Sequence, residues 1–95
     1  MSVELKISVC LASYNGERYI KRQLESILCQ LSPEDEVIVS DDSSNDATLE
    51  IIGAFQDPRI RLFPVQVFRS PIFNFEFALK EATGDIILLS DQDDV

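Results

Sequence analysis

Four consecutive branched aliphatics, Ile86 to Leu89, run into three carboxylates within four residues, Asp91, Asp93 and Asp94; no other stretch constrains the fold as strongly. An apolar run this short, with Gly84 before it and polar residues after, predicts a strand buried on both faces of a parallel sheet. The three carboxylates then gather at its carboxyl end, the edge where open α/β sheets bind ligands. Carboxylates so close repel one another, and a divalent cation is the usual remedy. The alternative is an acidic loop that is merely solvated. Two other segments point to the same edge, and they favour the cation.

At 95 residues the chain makes one domain at most, with a thin margin of core. The formal charge of −9, from 8 basic and 17 acidic residues, argues against a nucleic-acid backbone or an anionic membrane as the main partner. An anionic small molecule stays open if a metal supplies the missing positive charge. There is no histidine and no pair of CxxC motifs, so zinc is not expected. Cys10 and Cys29 both fall in apolar patterns and are expected to be small core residues. The N-terminus lacks the pattern of a signal peptide, and no run approaches the ~20 apolar residues of a membrane span. A cytoplasmic protein is expected, with the full-length protein free to associate with a membrane.

The chain alternates strand and helix. Ile7 to Ala12 is a strand ending in the turn Ser13-Tyr14-Asn15-Gly16. Asn15 is expected to cap a helix whose apolar face is Ile20, Leu24, Ile27, Leu28 and Leu31, ended by Ser32-Pro33. Val37-Ile38-Val39 is a second buried strand that runs into Asp41-Asp42-Ser43-Ser44-Asn45-Asp46. Ser44 or Asn45 can cap a second helix, with Asp46 in its first turn and Thr48, Ile51, Ile52 and Phe55 on its apolar face. Ile60 to Phe63 reads as an outer strand and Pro64 to Pro71 as a loop. A third helix is expected from about Phe73 to Ala82, with Phe75, Ala78, Leu79 and Ala82 inward and Gly84 as the residue that stops it.

Such alternation predicts a parallel α/β sheet of about four strands with right-handed crossovers, order 3-2-1-4. Strands 1 and 4 then flank a switch-point crevice, and residues 12–17, 41–46 and 91–94 open onto it. The first of these loops offers Tyr14, on which a base can stack, and backbone donors at a helix start for a phosphate. In the second, Asp42 could accept a hydrogen bond from a pyrimidine N3–H. Tyr14 packing its own turn and Asp42 belonging to a capping turn are the structural alternatives.

Taken in order, these residues resemble the N-terminal nucleotide-binding half of the family 2 glycosyltransferases, enzymes with the Rossmann-like GT-A fold. The resemblance rests on Ser8 to Gly16 with Glu17, Val37 to Asp46, Asp57-Pro58-Arg59-Ile60, and Gly84-Asp85 through Asp94. Asn74-Phe75-Glu76 and the Ser-Asp-Gln-Asp-Asp ending look most like enzymes of bacterial surface polysaccharides, rhamnosyltransferases among them. The resemblance implies a base pocket lined by Ala12 and Tyr14 with Glu17 nearby, and Asp42 holding uracil or thymine. It implies Asp91 and Asp93 at the D-x-D positions: Asp91 toward ribose and metal, Asp93 ligating Mn²⁺ or Mg²⁺, and Asp94 sharing the metal or shaping the loop. Ser43 stands where the family more often has Gly.

The partners so implied are a UDP- or dTDP-sugar donor and a saccharide or lipid-linked acceptor. The base that activates the acceptor is expected beyond Val95. Residues 1–95 are therefore expected to be the nucleotide-sugar-binding part of a larger domain, inactive alone and prone to self-association through exposed apolar surface. A catalytically incomplete binding or assembly module of the same fold is the alternative. A phosphoacceptor signalling domain would need acids after strand one, where Ala12-Ser13 stand. A nucleotidyltransferase would need a Gly-rich basic loop there, which Ser-Tyr-Asn-Gly-Glu is not.

Overall fold

The computed structural model describes residues 5–13, 15–42, 46–65 and 71–91, with backbone alone at 42, 65, 71–75 and 91. The elements are β1 (Ile7–Ser13), α1 (Ile20–Leu28), β2 (Glu36–Asp42), α2 (Thr48–Ala54), β3 (Ile60–Val65), α3 (Pro71–Glu81) and β4 (Ile86–Asp91). The four strands form one parallel sheet in the order β3-β2-β1-β4, as expected.

Strands β1 and β2 lie in the middle, so both of their faces are covered. Val9, Leu11, Val37 and Val39 pack with Ile20, Leu24 and Ile52 from α1 and α2. Cys10 and Ile38 point to the opposite face and meet Ala78 of α3. The α1 face matches its sequence period: Ile20 and Leu24 are fully buried, and Ile27, Leu28 and Leu31 pack around them. Truncating Leu24 to Ala would cost about 2–5 kcal/mol, the range for a large-to-small change in a packed core. Beyond α1, the Arg59 guanidinium donates to the Leu28 and Leu31 carbonyls, both at 3.1 Å, satisfying acceptors that a helix end leaves open. Asp57 holds it there through Nε at 3.0 Å and Nη2 at 2.8 Å.

Several expectations are corrected. Strand β4 is not buried on both faces: Ile86, Ile87, Leu88 and Leu89 are 39%, 43%, 50% and 58% exposed. It is an outer strand paired with β1 alone among the described residues, and α3 reaches inward to β1 and β2 instead. Cys10 is buried as expected, but Cys29 is exposed, just past α1. Helix α1 starts at Ile20, not at Asn15. Asn15 has a left-handed φ of 47°, and its turn is closed by Tyr19 and Ile20 amides donating to the Gly16 carbonyl. Asp46 precedes α2 rather than sitting in its first turn; Ser44 and Asn45 lie outside the described residues. Pro64 and Val65 continue β3, where an edge position tolerates a residue without an N–H. On α3, Leu79 is exposed, while Phe77 meets Phe63 edge-on with ring centroids 5.4 Å apart.

Gly84 is corrected too. It has no positive φ and lies three residues beyond the end of α3. A Cβ there would stand 2.6 Å from Ser8 Oγ and 2.8 Å from both Lys6 O and Ser8 N, so glycine is required by the close approach of β1. Around it lies a polar latch at the amino ends of the strands. Ser8 Oγ accepts from Gly84 N at 2.8 Å and donates to Glu36 Oε2 at 2.6 Å. The Glu36 carboxylate also accepts from Thr83 N (2.8 Å), Thr83 Oγ1 (3.1 Å) and Arg61 Nη1 (3.2 Å). No helix among the described residues is long and apolar enough to cross a membrane.

Candidate functional site

Parallel register aligns the carboxyl ends of three strands. Ala12 of β1 lies between Ser40 of β2 and Asp91 of β4, and Ser13 pairs with Asp41. Asp42 ends β2 opposite Val65. Ala12, Asp42 and Asp91, from three separate segments, thus share one sheet edge, at the switch point where β1 continues to one side and β4 lies on the other. Glu17 is exposed in the turn after β1. Tyr14, Asp93 and Asp94 lie outside the described residues.

Beneath that edge sits a carboxylate that sequence reasoning did not single out. Asp41 is fully buried and accepts a 2.6 Å hydrogen bond from Ser13 Oγ, joining the last residue of β1 to the penultimate residue of β2. The two loops above are tied as well. Thr48 Oγ1 accepts from Gly16 N at 2.8 Å and donates to Asp46 Oδ1. Asp46 Oδ1 also accepts from Thr48 N at 3.0 Å, and its other oxygen accepts from Glu17 N at 3.2 Å. Burial alone would push the Asp46 carboxyl up; the Thr48 hydroxyl and amide and the Glu17 amide outweigh it and hold the group below the usual carboxylate range. The Asp46-x-Thr48 spacing just before a helix was the available signal for this brace.

Among the described residues no group of three or more His, Cys, Asp or Glu side chains is gathered for a metal. The candidate donor set is Asp91 with Asp93, carboxylate oxygens of the kind Mg²⁺ and Mn²⁺ prefer, so its chemistry fits such an ion.

A parallel 3-2-1-4 sheet flanked by helices is the arrangement of the GT-A glycosyltransferase fold. The chain belongs to glycosyl transferase family 2, whose profile matches residues 8–95. It is similar to the poly(ribitol-phosphate) beta-N-acetylglucosaminyltransferase TarS of Staphylococcus aureus, at 37% identity over 95% of this chain and 16% of TarS. The crystal structure of TarS 1–349 in complex with UDP aligns with a TM-score of 0.85 and 35% identity, covering 93% of this chain and 27% of that one. The dTDP-rhamnosyl transferase RfbG of Shigella flexneri is 38% identical over 90% of this chain and 32% of its own length. A Mycobacterium tuberculosis glucosyl-3-phosphoglycerate synthase, solved with Mn²⁺, UDP and glucosyl-3-phosphoglycerate, aligns with a TM-score of 0.71 and 28% identity, over 94% of this chain and 34% of that one. The chain thus spans only a minor part of these relatives.

Proposed function

We propose that residues 1–95 form the nucleotide-sugar-binding part of a larger GT-A domain. The whole protein would transfer a hexosyl or rhamnosyl group from a UDP- or dTDP-sugar to an acceptor hydroxyl in bacterial cell-surface polysaccharide synthesis. The observation that carries this reading is the register that gathers Ala12, Asp42 and Asp91 at one edge, in a fold shared with a UDP-bound relative. In this reading Ala12 and Tyr14 line the base pocket with Glu17 nearby, Asp42 accepts from the pyrimidine N3–H, and Asp91 faces the ribose. The acceptor is a saccharide or a lipid-linked saccharide, in keeping with the surface-polymer relatives. The cytoplasmic location expected from the sequence is part of the proposal.

Asp93, with Asp91, would hold Mn²⁺ or Mg²⁺. When bound, the ion supplies positive charge against the diphosphate leaving group. Two unit charges ~4 Å apart interact by roughly 4 kcal/mol at an effective dielectric of 20, so a diphosphate beside these carboxylates meets repulsion comparable to what base stacking contributes. Calorimetric titration of UDP and of dTDP, with Mn²⁺ and again with EDTA, tests the reading. Tighter binding with Mn²⁺ is expected; equal binding in the two buffers would remove the metal–diphosphate site. The alternative is a catalytically incomplete module of the same fold that binds a nucleotide sugar but does not transfer it. Self-association of this chain would run through the exposed aliphatics of β4.

A further inference from the structure

A groove of about 450 Å³ runs between α1 and the end of β4, lined by Arg18, Tyr19, Arg22, Gln23, Ser26 and Ser90 among others. Its floor is fixed: the buried Gln23 donates from Nε2 to Ser90 Oγ at 3.0 Å. Its rim carries two exposed arginines, Arg18 in the turn before α1 and Arg22 in that helix's first turn.

Those guanidiniums are oddly provided for. In a chain with 17 acidic residues, Lys6, Lys21, Arg59 and Arg61 all form ion pairs. Among the described residues Arg18, Arg22 and Lys80 do not, and of these three only the two arginines line the groove. Two like charges lining one groove oppose each other, and both sit near the amino end of α1, where the helix dipole disfavours cations. Helix α1 has no acidic residue in its first turn to offset this. An anion lying between the two side chains would relieve all of these conflicts together. Guanidinium forks match phosphate oxygens in a bidentate way, and the Tyr19, Ser26 and Ser90 hydroxyls add donors along the groove.

We propose that the groove between α1 and β4 is a phosphate-binding site, with Arg18 and Arg22 as its ligating cations. It rests on the glycosyltransferase reading only for the source of the phosphate. Ser90 immediately precedes Asp91 on β4, so the groove ends at the same carboxyl edge of the sheet as the candidate site. The bound group is then either the donor's diphosphate or a phosphate on the second substrate.

The probe is inorganic pyrophosphate, titrated without metal or nucleotide into the ¹⁵N-labelled chain while amide shifts are followed. Saturable shifts confined to α1 and the end of β4 are expected. Arg18→Gln/Arg22→Gln should bind about tenfold more weakly, and the Lys/Lys double variant should fall between. Lys80→Gln, at an exposed position of α3, should match the parent. Circular dichroism melts of each variant verify the fold, which these exposed substitutions should leave intact. Shifts that do not saturate, or equal affinity in the Gln/Gln variant, would overturn the proposal. Repeating the titration with saturating UDP and Mn²⁺ separates the sources: competition assigns the groove to the donor diphosphate, and simultaneous binding assigns it to the second substrate. The metal-free arm stands or falls independently of the UDP and Mn²⁺ comparison.

Discussion

Glu36 is the charge on which the stability of this sheet should depend most visibly. The residue is 5% exposed, at the amino end of β2. Burial pushes its pKa up, but hydrogen bonds from Ser8, from the Thr83 amide and hydroxyl and from Arg61 outweigh that and lower it from 4.5 to about 2. Arg61 and Lys6, the ion-pair partners, are each 37% exposed, so screening leaves most of the effect to the hydrogen bonds. A lowering of this size corresponds to about 3 kcal/mol, a large share of the ~5–15 kcal/mol by which a domain is stable.

The sign follows from linkage. Because the folded pKa is depressed, the contribution is fully present above the unfolded value of 4.5 and is lost as pH falls toward 2. It should amount to about 3 kcal/mol at pH 7, less than half of that at pH 3, and a few tenths at pH 2. Glu36→Gln keeps the shape and removes the charge. Urea unfolding of both proteins at pH 7 and pH 3 should show the gap between them shrinking by more than half. A gap that is the same at both values would refute the assignment of this stability to the ionised carboxylate.

Gly84→Ala should destabilise the fold by about 1–3 kcal/mol or more through the clash with Lys6 O and Ser8 N, measurable as a lowered Tm. Asp42→Asn should weaken UDP or dTDP binding by about 1–3 kcal/mol in calorimetry, the cost of a charge-assisted hydrogen bond; unchanged affinity would leave Asp42 a structural residue. Asp93→Ala should abolish the difference between Mn²⁺ and EDTA buffers while leaving the weaker nucleoside binding largely in place. Leu89→Lys, at the most exposed of the β4 aliphatics, should shift any dimer toward monomer in analytical ultracentrifugation at millimolar concentration, and an unchanged distribution would move self-association away from β4.

The elements and their order were legible because the apolar periods of α1 and the aliphatic cores of β1 and β2 are strong, local signals. The strand edge carrying Ala12, Asp42 and Asp91 was legible for the same reason, since parallel topology alone aligns those ends. Burial of β4 was not, because an aliphatic run records what a strand could bury, whereas its exposure depends on what stands beside it. Gly84 was misassigned for a related reason: glycine after a helix suggests a cap, and only the fold reveals that β1 passes within 3 Å of the position a Cβ would take. Cys29 fitted an apolar pattern but falls where α1 has already ended. The Ser13–Asp41 pair, the ties from Gly16 to Thr48 and from Glu17 to Asp46, and the groove joining α1 to Ser90 each bring together residues distant in sequence, and no local period encodes them.

The pairing of β1 with β4 also sets an order of events in folding. Contacts that join β1 to β2, such as Ser8 with Glu36, close 28 residues, and Arg61 of β3 reaches Glu36 of β2 across 25. Ser8 and Gly84, which join β1 to the approach to β4, are 76 residues apart. Closing the longer loop from an open chain costs about 0.9 kcal/mol more in entropy than closing the 28-residue one. The β1–α1–β2–α2–β3 unit is therefore expected to condense first, shortening the remaining search. Strand β4 then docks last onto a finished edge and, in native-state hydrogen exchange, leaves first.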